Sequence, residues 1–150
     1  MFVPAYGEDD IAQAQPELPT VPLAIITKDG VRHDFTVELA KTEKQQEIGE
    51  MFRKAIPARH GMLFLWKSPQ ESDMWMRNTY VSLDMVFIDA DHHVHAIAEN
   101  TVPLSEAVIS SHGAVSSVLE LPAGTTEKLG IVVGDRVESP GILVKAGSKG

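Results

Sequence analysis

Trp75-Met76-Arg77-Asn78-Thr79, followed after a short gap by Leu83-Asp84, brings an indole, a guanidinium, an amide, a hydroxyl and a carboxylate into one short stretch. An indole stacks on planar groups and a guanidinium grips carboxylates or carbonyls as a fork, so the combination suits recognition of a small polar ligand. On a strand through Met74 to Thr79, Trp75, Arg77 and Thr79 would share one face, with Met76 and Asn78 on the other. Asp84 falls in the period of Val86 and Ile88, which sets a carboxylate on an apolar surface. Buried without a partner, it would cost several kcal/mol or take up a proton. Arg77, Asn78 and Thr79 are the expected partners.

Glu120 lies in Val118-Leu119-Glu120-Leu121, on the face opposite Leu119 and Leu121. With Asp84 it could form an acid and base for a hydrolase or lyase, provided that both carboxylates face one cleft, about 5 to 9.5 Å apart in glycosidases. Arg53 belongs to the one local basic cluster, with Lys54, Arg59 and His60. A solvated helix end accounts for that cluster, and Arg53 is kept as a candidate lining residue. His93 and His95 share a strand face but lack a clear third ligand, so no metal is expected. No Gly-rich phosphate loop and no Gly-x-Ser-x-Gly serine is present, and no cofactor is expected. Met51, Met62, Met74, Met76 and Met85 are core fillers on this reading.

The elements that must hold these residues are mostly strands. The chain has 150 residues, 43% of them hydrophobic and 23% charged, which fits one folded domain with a real core. Its net charge of −8 opposes a phosphate backbone, so nucleic acid is not an expected partner. No run approaches the ~18 apolar residues of a membrane span. Cysteine is absent, which removes disulfides and thiolate chemistry without naming a compartment. Residues 1–20, with Pro4, Pro16 and Pro19 and no apolar period, are expected to be a flexible tail, and 21–147 a single β-rich domain. The start lacks the basic and apolar regions of a secretory leader. Two expectations follow, a cytoplasmic chain or an exported one whose leader has been removed.

Strands are expected at 21–26, 31–39, 62–66, 83–88, 94–98, 115–121, 132–137 and 142–144, with Asp29-Gly30 as a hairpin turn. Thr42 and Gln45 form a capping-box signature, and Ile48, Met51, Phe52 and Ala55 continue at helical spacing until Pro57, which predicts one main amphipathic helix over about 42–55. A short helix is expected near 125–129. Strands without regular alternation with helices predict a mainly β fold, an antiparallel β-sandwich or a partly open barrel.

Several blocks, in order, resemble the family catalogued as domain of unknown function 192: Thr42-Glu43 through Gly49, Met51 and Arg53; Gly61-Met62-Leu63-Phe64; Trp75 to Thr79 with Leu83-Asp84 and Phe87-Ile88-Asp89; and Val118 to Leu121 with Ala123-Gly124 and Gly134-Asp135. The resemblance spans about residues 23 to 140. It implies a compact, sandwich-like fold and, because bacterial members often carry a leader, a periplasmic or secreted location. It implies no activity and no catalytic residues. Glu50 departs from the leucine usual in the family, which predicts that this position is not deeply buried; Asp91-His92 replaces a common turn glycine. The leading functional expectation is a non-catalytic module binding a small polar ligand or a peptide, through Trp75, Arg77, Asn78, Thr79, Asp84, Glu120 and Arg53. The alternatives are a hydrolase or lyase using Asp84 and Glu120, and a structural or protein-interaction domain.

Overall fold

The computed structural model describes residues 1–4 and 10–142. Its elements are β1 (Thr20–Ile26), β2 (Arg32–Ala40), α1 (Glu43–Ile48), β3 (His60–Met74), β4 (Leu83–Ile88), β5 (Val94–Ala98), β6 (Ile109–Pro122), α2 (Thr125–Leu129) and β7 (Arg136–Glu138). All seven strands join one sheet in the order β5-β4-β6-β3-β2-β1-β7. The sheet curls so that its two edges touch at one end, at the start of β5. Val94 N–H donates to Asp135 O and Gly134 N–H to Val94 O, each at 2.8 Å, beside a bridge between His93 and Arg136. The architecture is therefore a mainly β half-barrel made of a single sheet, in place of the two packed sheets of a sandwich. One pair, β2 with β3, is parallel. Parallel neighbours need a long crossover, supplied here by α1 and the irregular chain that leads to β3.

Curling buries both faces of the middle strands. β4 is buried at every position, as its unbroken apolar run requires. Met62, Phe64, Met85, Phe87 and Val118 enter one core, while Leu63, Val86, Ile88, Leu119 and Leu121 enter a second on the opposite face. The first core holds all 6 methionines of the chain, Met1 included. Such flexible side chains fill an irregular space where branched ones would not.

The helix expected over 42–55 stops at Ile48. Its start is as expected: Thr42 Oγ1 accepts from Gln45 N–H and Gln45 Oε1 accepts from Thr42 N–H, both at 3.1 Å. Gly49 then turns to φ +49° and Phe52 to φ +65°. The Phe52 N–H leaves the helical ladder to donate to Asn78 O at 2.8 Å. A tertiary hydrogen bond thus replaces the next helical turn, and the apolar spacing of Met51 and Phe52 reflects packing of irregular chain. Because the capping box carries so short a helix, Thr42→Ala is expected to lower Tm by about 2 to 4 °C, the equivalent of about 1 kcal/mol, in a thermal melt. The short helix at 125–129 is present as expected.

Three other segments differ from expectation. The chain from Trp75 to Thr79 is a turn after β3 and not a strand. Val132 to Asp135 is also a turn, which leaves only Arg136–Glu138 as β7. Beyond Ile142, the strand expected at 142–144 and the domain's end at 147 lie outside the described residues. Residues 1–3, part of the expected tail, lie against the domain: Phe2 bridges Met74 and Met1 is fully buried. Among the described residues, no helix is long and apolar enough to cross a membrane.

Candidate functional site

The 75–79 segment owes its shape to Asn78. Thr79 N–H donates to Met76 O at 3.1 Å, closing a turn in which Asn78 takes φ +54°, a left-handed conformation that asparagine accepts more readily than most residues. The Thr79 hydroxyl, fully buried, donates to Arg77 O at 2.9 Å. Thr79 is therefore a brace of the turn. Trp75, Arg77 and Asn78 instead line a small hollow of about 50 Å³, walled also by Phe2, Met51 and Glu47. The Arg77 guanidinium carbon sits 5.5 Å from the Trp75 ring centre, and Nη1 lies 3.7 Å from Glu106 Oε2. The Trp75 indole N–H is buried and has no acceptor among the described residues.

Asp84 is not part of this hollow. It is fully buried, and Oδ1 accepts from Asn100 N–H at 3.0 Å. Oδ2 accepts from the Thr126 N–H at 3.0 Å and from the Thr126 hydroxyl at 2.9 Å. The partners expected at Arg77, Asn78 and Thr79 are replaced by donors from the segment after β5 and from α2, so this carboxylate ties two connections to the end of β4. It also cannot share a cleft with Glu120. In the β4–β6 register Asp84 opposes Leu121 and Met85 opposes Glu120; directly opposed residues share a face and successive ones alternate, so the two carboxylates leave opposite faces of the sheet.

Glu120 and Arg53 belong to a different group. The register runs Glu38, Met62, Glu120, Met85 across β2, β3, β6 and β4. Arg53 grips Glu38 with both terminal nitrogens, and Glu38 Oε1 also accepts from Leu18 N–H at 2.8 Å. Arg53 Nη1 reaches Glu50 Oε2 only at 3.6 Å. Both oxygens of Glu50 and both of Glu120 are buried and accept no hydrogen bond among the described residues. Burial lifts the Glu50 carboxyl from 4.5 to about 8, against the pull of Arg53. It lifts Glu120 from 4.5 to about 7, opposed by the α-amino group of Met1. The ion pair and the raised value agree once Arg53 is seen to be engaged mainly with Glu38, which leaves desolvation dominant at Glu50. That amine is itself pushed down by burial, with Glu120 and Glu50 acting the other way. Glu50, expected to be shallow, is 1% exposed. Its sequence signal was a carboxylate in a place where an apolar residue was expected, and the burial was the part misjudged.

The model of the family DUF192, uncharacterised ACR, COG1430, matches residues 24–139. The chain belongs to DUF192. Solved structures similar to this DUF192 chain include a candidate transcription regulator from Sinorhizobium meliloti 1021, 44% identical, with a TM-score of 0.82, covering 85% of this chain and 99% of that one. Another is a protein of unknown function from Novosphingobium aromaticivorans DSM 12444, 39% identical, with a TM-score of 0.79 and coverage of 86% and 94%. No curated protein matches. The DUF192 match includes Trp75, Arg77, Asp84 and Glu120 but stops short of residues 1–3, which here join the core cluster that contains Trp75.

Proposed function

We propose that this DUF192 domain is a non-catalytic binding module that takes a small polar ligand, or one polar group of a peptide, in the hollow at Trp75, Arg77 and Asn78. The observation that carries this reading is the hollow itself, whose wall brings the Trp75 indole, the Arg77 guanidinium and the Asn78 amide together. Arg77 offers a ligand oxygen a charge-assisted contact. A volume of about 50 Å³ admits a carboxylate-sized group and not a whole metabolite, since ordinary ligand pockets run to about 300–1,000 Å³. The hydrolase or lyase reading is disfavoured by the opposite facing of Asp84 and Glu120. A DNA partner, raised by the description of the Sinorhizobium relative, is opposed by the net charge of −8.

A titration with acetate and short peptides, followed by the indole N–H resonance of Trp75, tests the hollow. Saturable shifts are expected, and Arg77→Ala should weaken them tenfold or more. The same substitution should move Tm by less than about 2 °C, because the pair with Glu106 is half exposed and such pairs contribute little. An indole resonance indifferent to every probe would remove the reading.

A further inference from the structure

The turn that lines the hollow also carries a shelf of exposed apolar side chains. Val102 is 67% exposed, Leu104 56% and Tyr80 49%. Single exposed apolar residues are ordinary, but these three belong to one hydrogen-bonded unit. Leu104 N–H donates to Thr79 O at 3.0 Å, beside Tyr80, and Met76 N–H donates to Ser105 O at 2.9 Å, so residues 102–105 are fastened along the 76–79 turn. Thr101 pins the start of the loop, where its N–H and its hydroxyl both donate to Leu83 O at 2.9 Å. The apolar surface is therefore held in place before anything binds, which lowers the ordering entropy that a partner must meet.

Leu104 stands there at a cost. Ser105 N–H donates to Val102 O at 3.2 Å, closing a turn with Pro103 second and Leu104 third, and Leu104 takes φ +67°. A proline in second place before a residue with positive φ is the type II arrangement, whose third position ordinarily goes to glycine or asparagine. A leucine strained into that position while more than half exposed gains little from the core. Burial against a partner would recover what the core does not supply. Two residues on, the exposed Glu106 lies 3.7 Å from Arg77 Nη1. A carboxylate of the chain itself thus stands, on the side of the shelf, against the guanidinium that lines the hollow.

We infer that the Val102–Ser105 turn, with Tyr80, is the docking shelf for the apolar last residues of a peptide whose terminal carboxylate meets Arg77 in place of Glu106. The inference rests on the reading of the hollow as a carboxylate-sized site and names its ligand class. Charge decides the polar end, since a guanidinium takes a carboxylate as a fork. Space decides that it is a chain end: the hollow holds about 50 Å³ and is walled by Phe2, Pro4, Ile11 and Met51, so a chain entering from the shelf has no room to continue past its carboxylate. The exposed groups stand on two segments, Tyr80 on one and Val102 with Leu104 on the other, which suits side chains spaced along a backbone better than a single acyl tail.

The test uses the full chain and the probe N-acetyl-Leu-Leu with a free carboxylate, followed, as for acetate, by the indole resonance of Trp75. It is expected to bind about tenfold more tightly than acetate, the gain from burying part of two leucine side chains. Its C-terminal amide should bind about tenfold more weakly than the acid, for want of the charge-assisted contact. Leu104→Asn suits the positive φ and should keep the fold intact, yet return the dipeptide to the affinity of acetate while leaving the acetate shifts unchanged. Glu106→Gln should tighten the dipeptide by removing the competing carboxylate. A dipeptide no tighter than acetate, an amide as good as the acid, or octanoate binding as tightly as the dipeptide overturns the inference. So does self-association that Leu104→Asn abolishes in sedimentation, which would make a second copy the occupant. Where acetate shifts persist, each of these results leaves the reading of the hollow in place; silence from both acetate and the dipeptide removes both readings.

Discussion

Asp84→Ala is expected to be the most damaging single change in this domain, lowering Tm by about 10 °C in a thermal melt, the equivalent of about 3 to 5 kcal/mol. The carboxylate accepts three hydrogen bonds from Asn100 and Thr126 while fully buried. Alanine would strand the buried Thr126 N–H, take the acceptor from the Asn100 N–H and leave the Thr126 hydroxyl only its 3.3 Å contact with Glu99 Oε1; an orphaned buried group costs about 1 to 3 kcal/mol, and the vacated buried space adds to the loss. Asp84→Asn should recover little. Each carboxylate oxygen accepts from a backbone N–H, so either orientation of the amide would aim its own N–H₂ at one of them. A loss below about 2 °C for Asp84→Ala would mean that the connection after β5 and the start of α2 hold their places without this tie.

The second large effect is on pH dependence. Glu50 at about 8 and Glu120 at about 7 both stand above the ordinary value of 4.5. Between about pH 4.5 and 8 the folded protein therefore holds protons that the unfolded chain has released. Stability is greatest at the acid end of that window and is lost as pH rises through the two folded values, by about 1.4 kcal/mol per unit for each net proton. The Met1 amine, lowered from 8.0, has the opposite sign and offsets part of the slope. Arg53 and Glu38 are the other charges facing Glu50, and they pull in opposite directions. Urea denaturation is expected to give a stability at pH 5.5 on the order of 3 kcal/mol above that at pH 8.5. The double variant Glu50→Gln, Glu120→Gln should flatten the curve across this range. Stability that rises toward pH 8.5 would show that the two carboxyls are ionised and partnered in the folded protein.

The strands were largely legible in the chain because burial imprints itself at period two. The buried Phe35 and Val37 alternate with the exposed Asp34 and Thr36 in β2, and the unbroken apolar run of β4 is buried throughout. The capping box at Thr42 was equally plain, since its bonds lie within one turn. The end of α1 was not, because Phe52 gives up the helix for a partner at Asn78. At the site, a turn brings Trp75, Arg77 and Asn78 to one hollow, where the expected strand would have set Asn78 on the face opposite the other two. Asp84 and Glu120 were not separable by sequence, since only strand register tells which face of the sheet each occupies.

The sequence by itself determined a mainly β chain of this family, its turns, its caps and the chemical richness of the 75–84 stretch. Tertiary structure alone decided that Asp84 braces two loops, that Glu50 and Glu120 are sunk beside the Met1 amine, and that residues 1–3 lie on the Trp75 turn. The reason is physical. Periodicity and capping act between residues a few positions apart, whereas the environment of a buried charge is set by whichever distant strands become its neighbours, and a shift of one residue in pairing would reverse it.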